Sequence, residues 1–135
     1  MSTFLDDGTM VDKMAQFNLN EELNEAERRQ PGPAGLYSKT LFKKHDFRVV
    51  LISMQNSAHM KEHHADGTIS IQVIRGHLRV SVNGRPHDVP AGSLFTLGAS
   101  IRHNVDAIGD SAFLLTISWP SDQELAAMKH RGYGS

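Results

Sequence analysis

The chain has 135 residues, of which 39% are hydrophobic and 21% charged, with a formal net charge of −1 and no cysteine. That length supports one compact domain with a real core. The near-neutral balance excludes a nucleic-acid surface built on bulk charge, and the missing thiols exclude disulfide and thiolate chemistry.

The first 35 residues form an arm distinct from the rest. Asn20-Glu21-Glu22-Leu23-Asn24-Glu25-Ala26-Glu27-Arg28-Arg29 is polar and helix-prone, with Leu19, Leu23 and Ala26 on one narrow stripe. Gln30-Pro31-Gly32-Pro33-Ala34-Gly35 stops it. Two readings stand side by side: an exposed short helix docked on a partner subunit, or a partly disordered terminus. The start, Met1-Ser2-Thr3-Phe4-Leu5-Asp6-Asp7, lacks the basic-then-apolar order of a signal peptide. No apolar run approaches the roughly 20 residues of a membrane helix. These observations predict a cytoplasmic protein with no membrane or nucleic-acid partner.

From Leu36 the pattern turns to β. Arg48-Val49-Val50-Leu51-Ile52-Ser53-Met54 reads as a buried strand. Ile69, Ile71 and Val73, and then Leu78, Val80 and Val82, alternate with neighbours in the period of two expected of strands with one face inward. Asn83-Gly84 is a tight-turn signal because both residues tolerate positive φ. Pro90-Ala91-Gly92 marks another turn. Ser93 to Leu97, His103 to Val105 and Phe113 to Trp119 supply further strands. Turns at this regular spacing predict an antiparallel sandwich or barrel. Ser121-Asp122-Gln123-Glu124 is a capping box that opens a C-terminal helix. The expected organisation is an arm over 1–35, a β-barrel over 36–120 and a C-terminal helix and tail over 121–135.

The chemistry concentrates in histidines, of which there are eight. On a regular strand, residues two apart share a face. Glu62 and His64 therefore point one way and His63 the other. With His103 from a neighbouring strand, Glu62 and His64 offer one oxygen and two nitrogen ligands, a set suited to Fe, Mn, Ni, Cu or Zn. His59 reads as a surface loop residue, and His45, His77, His87 and His130 as solvated. Met54 and Met60 read as core or pocket lining, and Trp119 as a core or interface anchor. Arg48, Arg75, Arg79 and Arg102 are candidates to neutralise an acidic ligand, with parity placing Arg75 and Arg79 outside.

The stretch from Asn56 to Ala107 resembles the two conserved motifs of the cupin superfamily. In the first motif His64 and Gly76 match, Glu62 stands in place of the first His, and Ile69 in place of the Glu. In the second, Gly92 and His103 match, while Gly98, Ser100 and Ala107 replace the usual Pro, Gly and Asn. The resemblance implies an all-β, double-stranded β-helix (jelly-roll) cupin barrel with short N- and C-terminal helical segments. It also implies a homodimer and an interior pocket for a small organic molecule. Three readings of that pocket stand: a reduced divalent-metal site of Glu62, His64 and His103; a metal-free ligand pocket; and a purely structural cluster. The first supports a metal-dependent oxygenase or isomerase, the second a non-catalytic binding or sensing module, and the fold does not choose between them.

Overall fold

A computed structural model describes residues 14–29 and 31–120. The predicted C-terminal helix at Ser121 lies outside the described residues. Helix α1 spans Leu19–Arg28. Nine strands follow: β1 (Leu36–Lys43), β2 (Phe47–Met54), β3 (His59–His63), β4 (Thr68–Arg75), β5 (His77–Val82), β6 (Arg85–Pro90), β7 (Leu94–Leu97), β8 (His103–Ala107) and β9 (Ser111–Ser118). They form two antiparallel sheets, ordered β1-β2-β9-β4-β7 and β3-β8-β5-β6. This is the predicted all-β cupin jelly roll. Among the described residues no helix is long and apolar enough to cross a membrane.

The core lies between the sheets. Ile52, Ile69, Ile71, Val73 and Phe113 from the large sheet meet Leu78, Val80, Val89 and Val105 from the small one. Each set alternates along its strand, so the hydrophobic period of two fixes which face is buried. Asn83 and Gly84 adopt φ of 53° and 76°, closing the β5–β6 hairpin where Val82 pairs with Arg85. Strand β6 carries Pro86 and Pro90, which hid it from a reading based on strand propensity. It is tolerated because β6 is a sheet edge, where a missing N–H leaves no ladder bond broken.

Helix α1 is capped by the Asn18 side chain, which accepts a hydrogen bond from the Glu21 backbone N–H at 3.2 Å. The helix does not project as a free arm. Its stripe of Leu23 and Ala26 is buried on the outer face of the large sheet against Leu51 and Ala112. Lys39 on β1 donates to Glu22 at 2.8 Å and Glu25 at 3.3 Å, and Arg75 on β4 donates to Glu27. Those bonds hold the Lys39 ammonium above its ordinary pKa, chiefly through Glu22.

Candidate functional site

Strands β2, β9 and β4 reach one end of the barrel at Phe47, Ser118 and Thr68, which pair across the sheet. Strands β3, β8 and β5 reach an end at His63, His103 and Val82. The short link from His63 to Thr68 makes these the same end. The inward residues there are Ile69, Leu97 and Ile117 from the large sheet and Val82 from the small one. Against this apolar lining sit two imidazoles.

Their arrangement depends on a bulge. Met60 pairs with Val105, and His63 with His103, so Lys61 and Glu62 together oppose Asn104. One extra residue on β3 reverses the facing beyond it. The parity reading, with Glu62 and His64 inward and His63 outward, assumed a regular strand and is corrected here. His63 lies beside His103, with ring centroids 4.3 Å apart. The Glu62 side chain is 60% exposed, and its carboxylate is 4.0 Å from Arg102 on the surface. His64 is also exposed, with Nε2 3.7 Å from the Asp66 carboxylate.

Both inward rings are oriented by their own backbone. His103 Nδ1 lies 3.0 Å from the Ile101 carbonyl oxygen, and His63 Nδ1 lies 2.7 Å from the Lys61 carbonyl oxygen. A carbonyl only accepts, so Nδ1 donates in each ring and Nε2 of the neutral ring keeps its lone pair. Burial pushes the His103 imidazole below its ordinary pKa of 6.5, and the charges of His63 and His64 push the same way, against the bond to Ile101. His103 is 3% exposed and is neutral at pH 7. The His103 ring therefore presents a hydrogen-bond acceptor in an apolar frame, with the His63 ring beside it.

That donor set does not fit the divalent metal implied by the cupin resemblance. The family's carboxylate position is Ile69, a hydrocarbon buried in the core. Glu62, His64 and His103 are not gathered on one face, and among the described residues no three His, Cys, Asp or Glu side chains are grouped to hold a metal ion. His59 and His77 lie elsewhere. His59 Nδ1 is 2.6 Å from Asp106 Oδ1 on the outer face, and His77 Nε2 is 3.4 Å from Asp88 Oδ1. Asp88 also accepts from Arg79 at 3.0 Å, and that bond, with His77 second, holds its carboxyl below the ordinary range.

Residues 48–130 match the family described as AraC-like ligand binding domain. The chain belongs to this family. It is a small member of the cupin superfamily, and solved structures agree on the fold. It is similar to a cupin 2 conserved barrel domain protein from Leptotrichia buccalis, with TM-score 0.66 and 28% identity over 76% of this chain and 47% of that one. A conserved protein of unknown function from Streptococcus pyogenes superposes with TM-score 0.66 at 18% identity, covering 79% of this chain and 89% of that one. KdgF from a Halomonas species superposes with TM-score 0.60 at 21% identity, covering 70% and 89%. Among curated proteins, the probable galaptin lec-8 of Caenorhabditis elegans is 29% identical over 79 residues, 55% of this chain and 44% of that protein. The match thus spans less than half the length of that relative.

The sequence contained the signal for His63 but not its facing. His63 and His64 are adjacent, so one always points in. The bulge that decides between them has no residue signature, since Lys61-Glu62 reads as ordinary strand surface.

Proposed function

We propose that this chain is a non-catalytic binding module for a neutral, hydroxyl-bearing small molecule, held at the His63–His103 end of the barrel. The observation that supports this most directly is the pair of imidazoles whose Nδ1 atoms are committed to backbone carbonyls. Their Nε2 lone pairs accept hydrogen bonds from ligand hydroxyls, and the apolar residues around them cover the ligand's carbon skeleton. The match to a ligand-binding family agrees with the reading. A homodimer is part of the same proposal, with the exposed edge strand β1 as the pairing edge.

The test is calorimetric titration with monosaccharides and sugar alcohols, alongside elemental analysis of the purified protein. At least one probe binds at one per chain. His63→Ala and His103→Ala each weaken it by roughly three- to tenfold, since one lost hydrogen bond contributes about 1 kcal/mol, while His64→Ala leaves it unchanged. Stoichiometric metal that disappears with Glu62→Gln or His64→Ala would overturn the proposal. It would favour instead a metal-dependent enzyme with Glu62, His64 and His103 as ligands. Sedimentation velocity reads the oligomeric state.

A further inference from the structure

The β1–β2 turn carries a feature that the histidine pair does not explain. Lys43, Lys44, His45, Arg48 and Trp119 line a shallow recess at the same end of the barrel, sharing no lining residue with the His63–His103 pair. Strand β2 meets β9 without a register shift, so Arg48 lies on the same face as Val50 and Ile52, directed toward the barrel. Lys43 pairs with Arg48 across β1–β2. The Arg48 guanidinium lies 5.3 Å from the centroid of the Trp119 ring. The Trp119 backbone N–H donates to the Asp46 carbonyl at 2.9 Å, which holds the Trp119 main chain at the turn.

Arg48 Nε is buried, and among the described residues it has no hydrogen-bond partner. A buried donor without an acceptor is costly, the more so when it is charged. Among the described residues no carboxylate lines the recess. The guanidinium fork is suited to two parallel bonds to an oxyanion. Lys43, paired with Arg48 across β1–β2, adds positive charge without competing for those bonds.

We propose that this recess binds the oxyanion of a small molecule, a carboxylate or a phosphate. Arg48 supplies the fork, and Lys43 and His45 supply further donors at the rim. Trp119 forms the wall against which the ligand's remaining atoms pack. This site is independent of the proposed hydroxyl-ligand pocket, and either can fail without the other.

The chain has a single tryptophan, so its fluorescence reports on the recess directly. The experiment titrates the full-length protein at low ionic strength with benzoate and, separately, with inorganic phosphate. A saturable change in Trp119 emission with either probe is expected, and the two probes distinguish a carboxylate from a phosphate source. Arg48→Lys, which keeps the charge but removes the fork and Nε, weakens the binding roughly tenfold or more, the range of charge-assisted hydrogen bonds. His63→Ala and His103→Ala leave it unchanged. Lys43→Gln, at an exposed position, weakens it a few-fold and serves if Arg48→Lys does not fold. No saturable change with either probe overturns the proposal, as does full affinity in both Arg48→Lys and Lys43→Gln. Tightening by more than tenfold in Asp122→Asn/Glu124→Gln also overturns it, because the chain's own carboxylates would then be the natural occupant.

Discussion

Replacing Ile69 with Glu tests the placement of His63 beside His103 at the apolar end of the barrel. Ile69 is 3% exposed, faces the core, and occupies the position where the cupin motif carries its carboxylate. Without metal, Ile69→Glu buries a carboxylate in an apolar frame and removes a packed side chain. The combined cost is about 3–5 kcal/mol. At roughly 4 °C per kcal/mol for a domain of this size, Tm falls by roughly 12–20 °C. The new carboxylate joins the Nε2 atoms of His63 and His103 to make a three-donor set. A divalent ion at 100 times its Kd then returns about 2.7 kcal/mol, or roughly 10 °C. The assay is thermal unfolding of the wild type and Ile69→Glu, with and without Zn(II), Mn(II) or Ni(II), followed by elemental analysis after dialysis. His63→Ala in the Ile69→Glu background abolishes the metal response, and His64→Ala does not. A metal response that survives His63→Ala refutes the placement of His63 on the inner face, and an Ile69→Glu protein that loses no stability refutes the burial of residue 69 in the core.

Three further outcomes follow from the burial of His103, the packing of helix α1 and the backbone at Gly76. The His103 pKa is lowered on folding, so the unfolded chain binds the proton more readily. Its contribution is complete above the ordinary value of 6.5 and is lost as pH falls below it; urea unfolding between pH 5 and 8 shows a rise with pH that His103→Gln reduces. Leu23→Ala removes the main anchor of a helix too short to be stable alone, and lowers stability by about 2–5 kcal/mol in the same assay. Gly76 has φ of 79°, and a Cβ there would lie 2.3 Å from the Asp110 carbonyl oxygen, so Gly76→Ala destabilises by more than the about 1–2 kcal/mol of left-handed backbone alone.

The fold was legible because its signals are redundant. Alternation in β4 and β5, the Asn83-Gly84 turn and the cupin motif spacing all pointed to one barrel. The helix stripe of Leu23 and Ala26 was legible as amphipathic, but its acceptor was not, because Leu51 and Ala112 come from distant strands that already looked committed to a buried face. The site was legible in residue type and not in direction. A parity argument carries a facing only along unbroken pairing, and the extra residue between Met60 and His63 breaks it. Arg48 was visible only as one of four candidate arginines, two of which parity placed outside, since neither its inward face nor its contact with Trp119 follows from local sequence.

The bulge in β3 has a consequence beyond which ring faces His103. Histidine stands at two successive positions, His63 and His64, immediately after the irregularity. A strand that slips by one residue normally exchanges a polar side chain for an apolar one and destroys a site. Here a slip that brings His64 into the place of His63 exchanges one imidazole for another. The doublet makes the chemistry of this barrel end tolerant of a one-residue deletion in the strand that builds it, because His64 then takes the place opposite His103, whereas an insertion would bring Glu62 there.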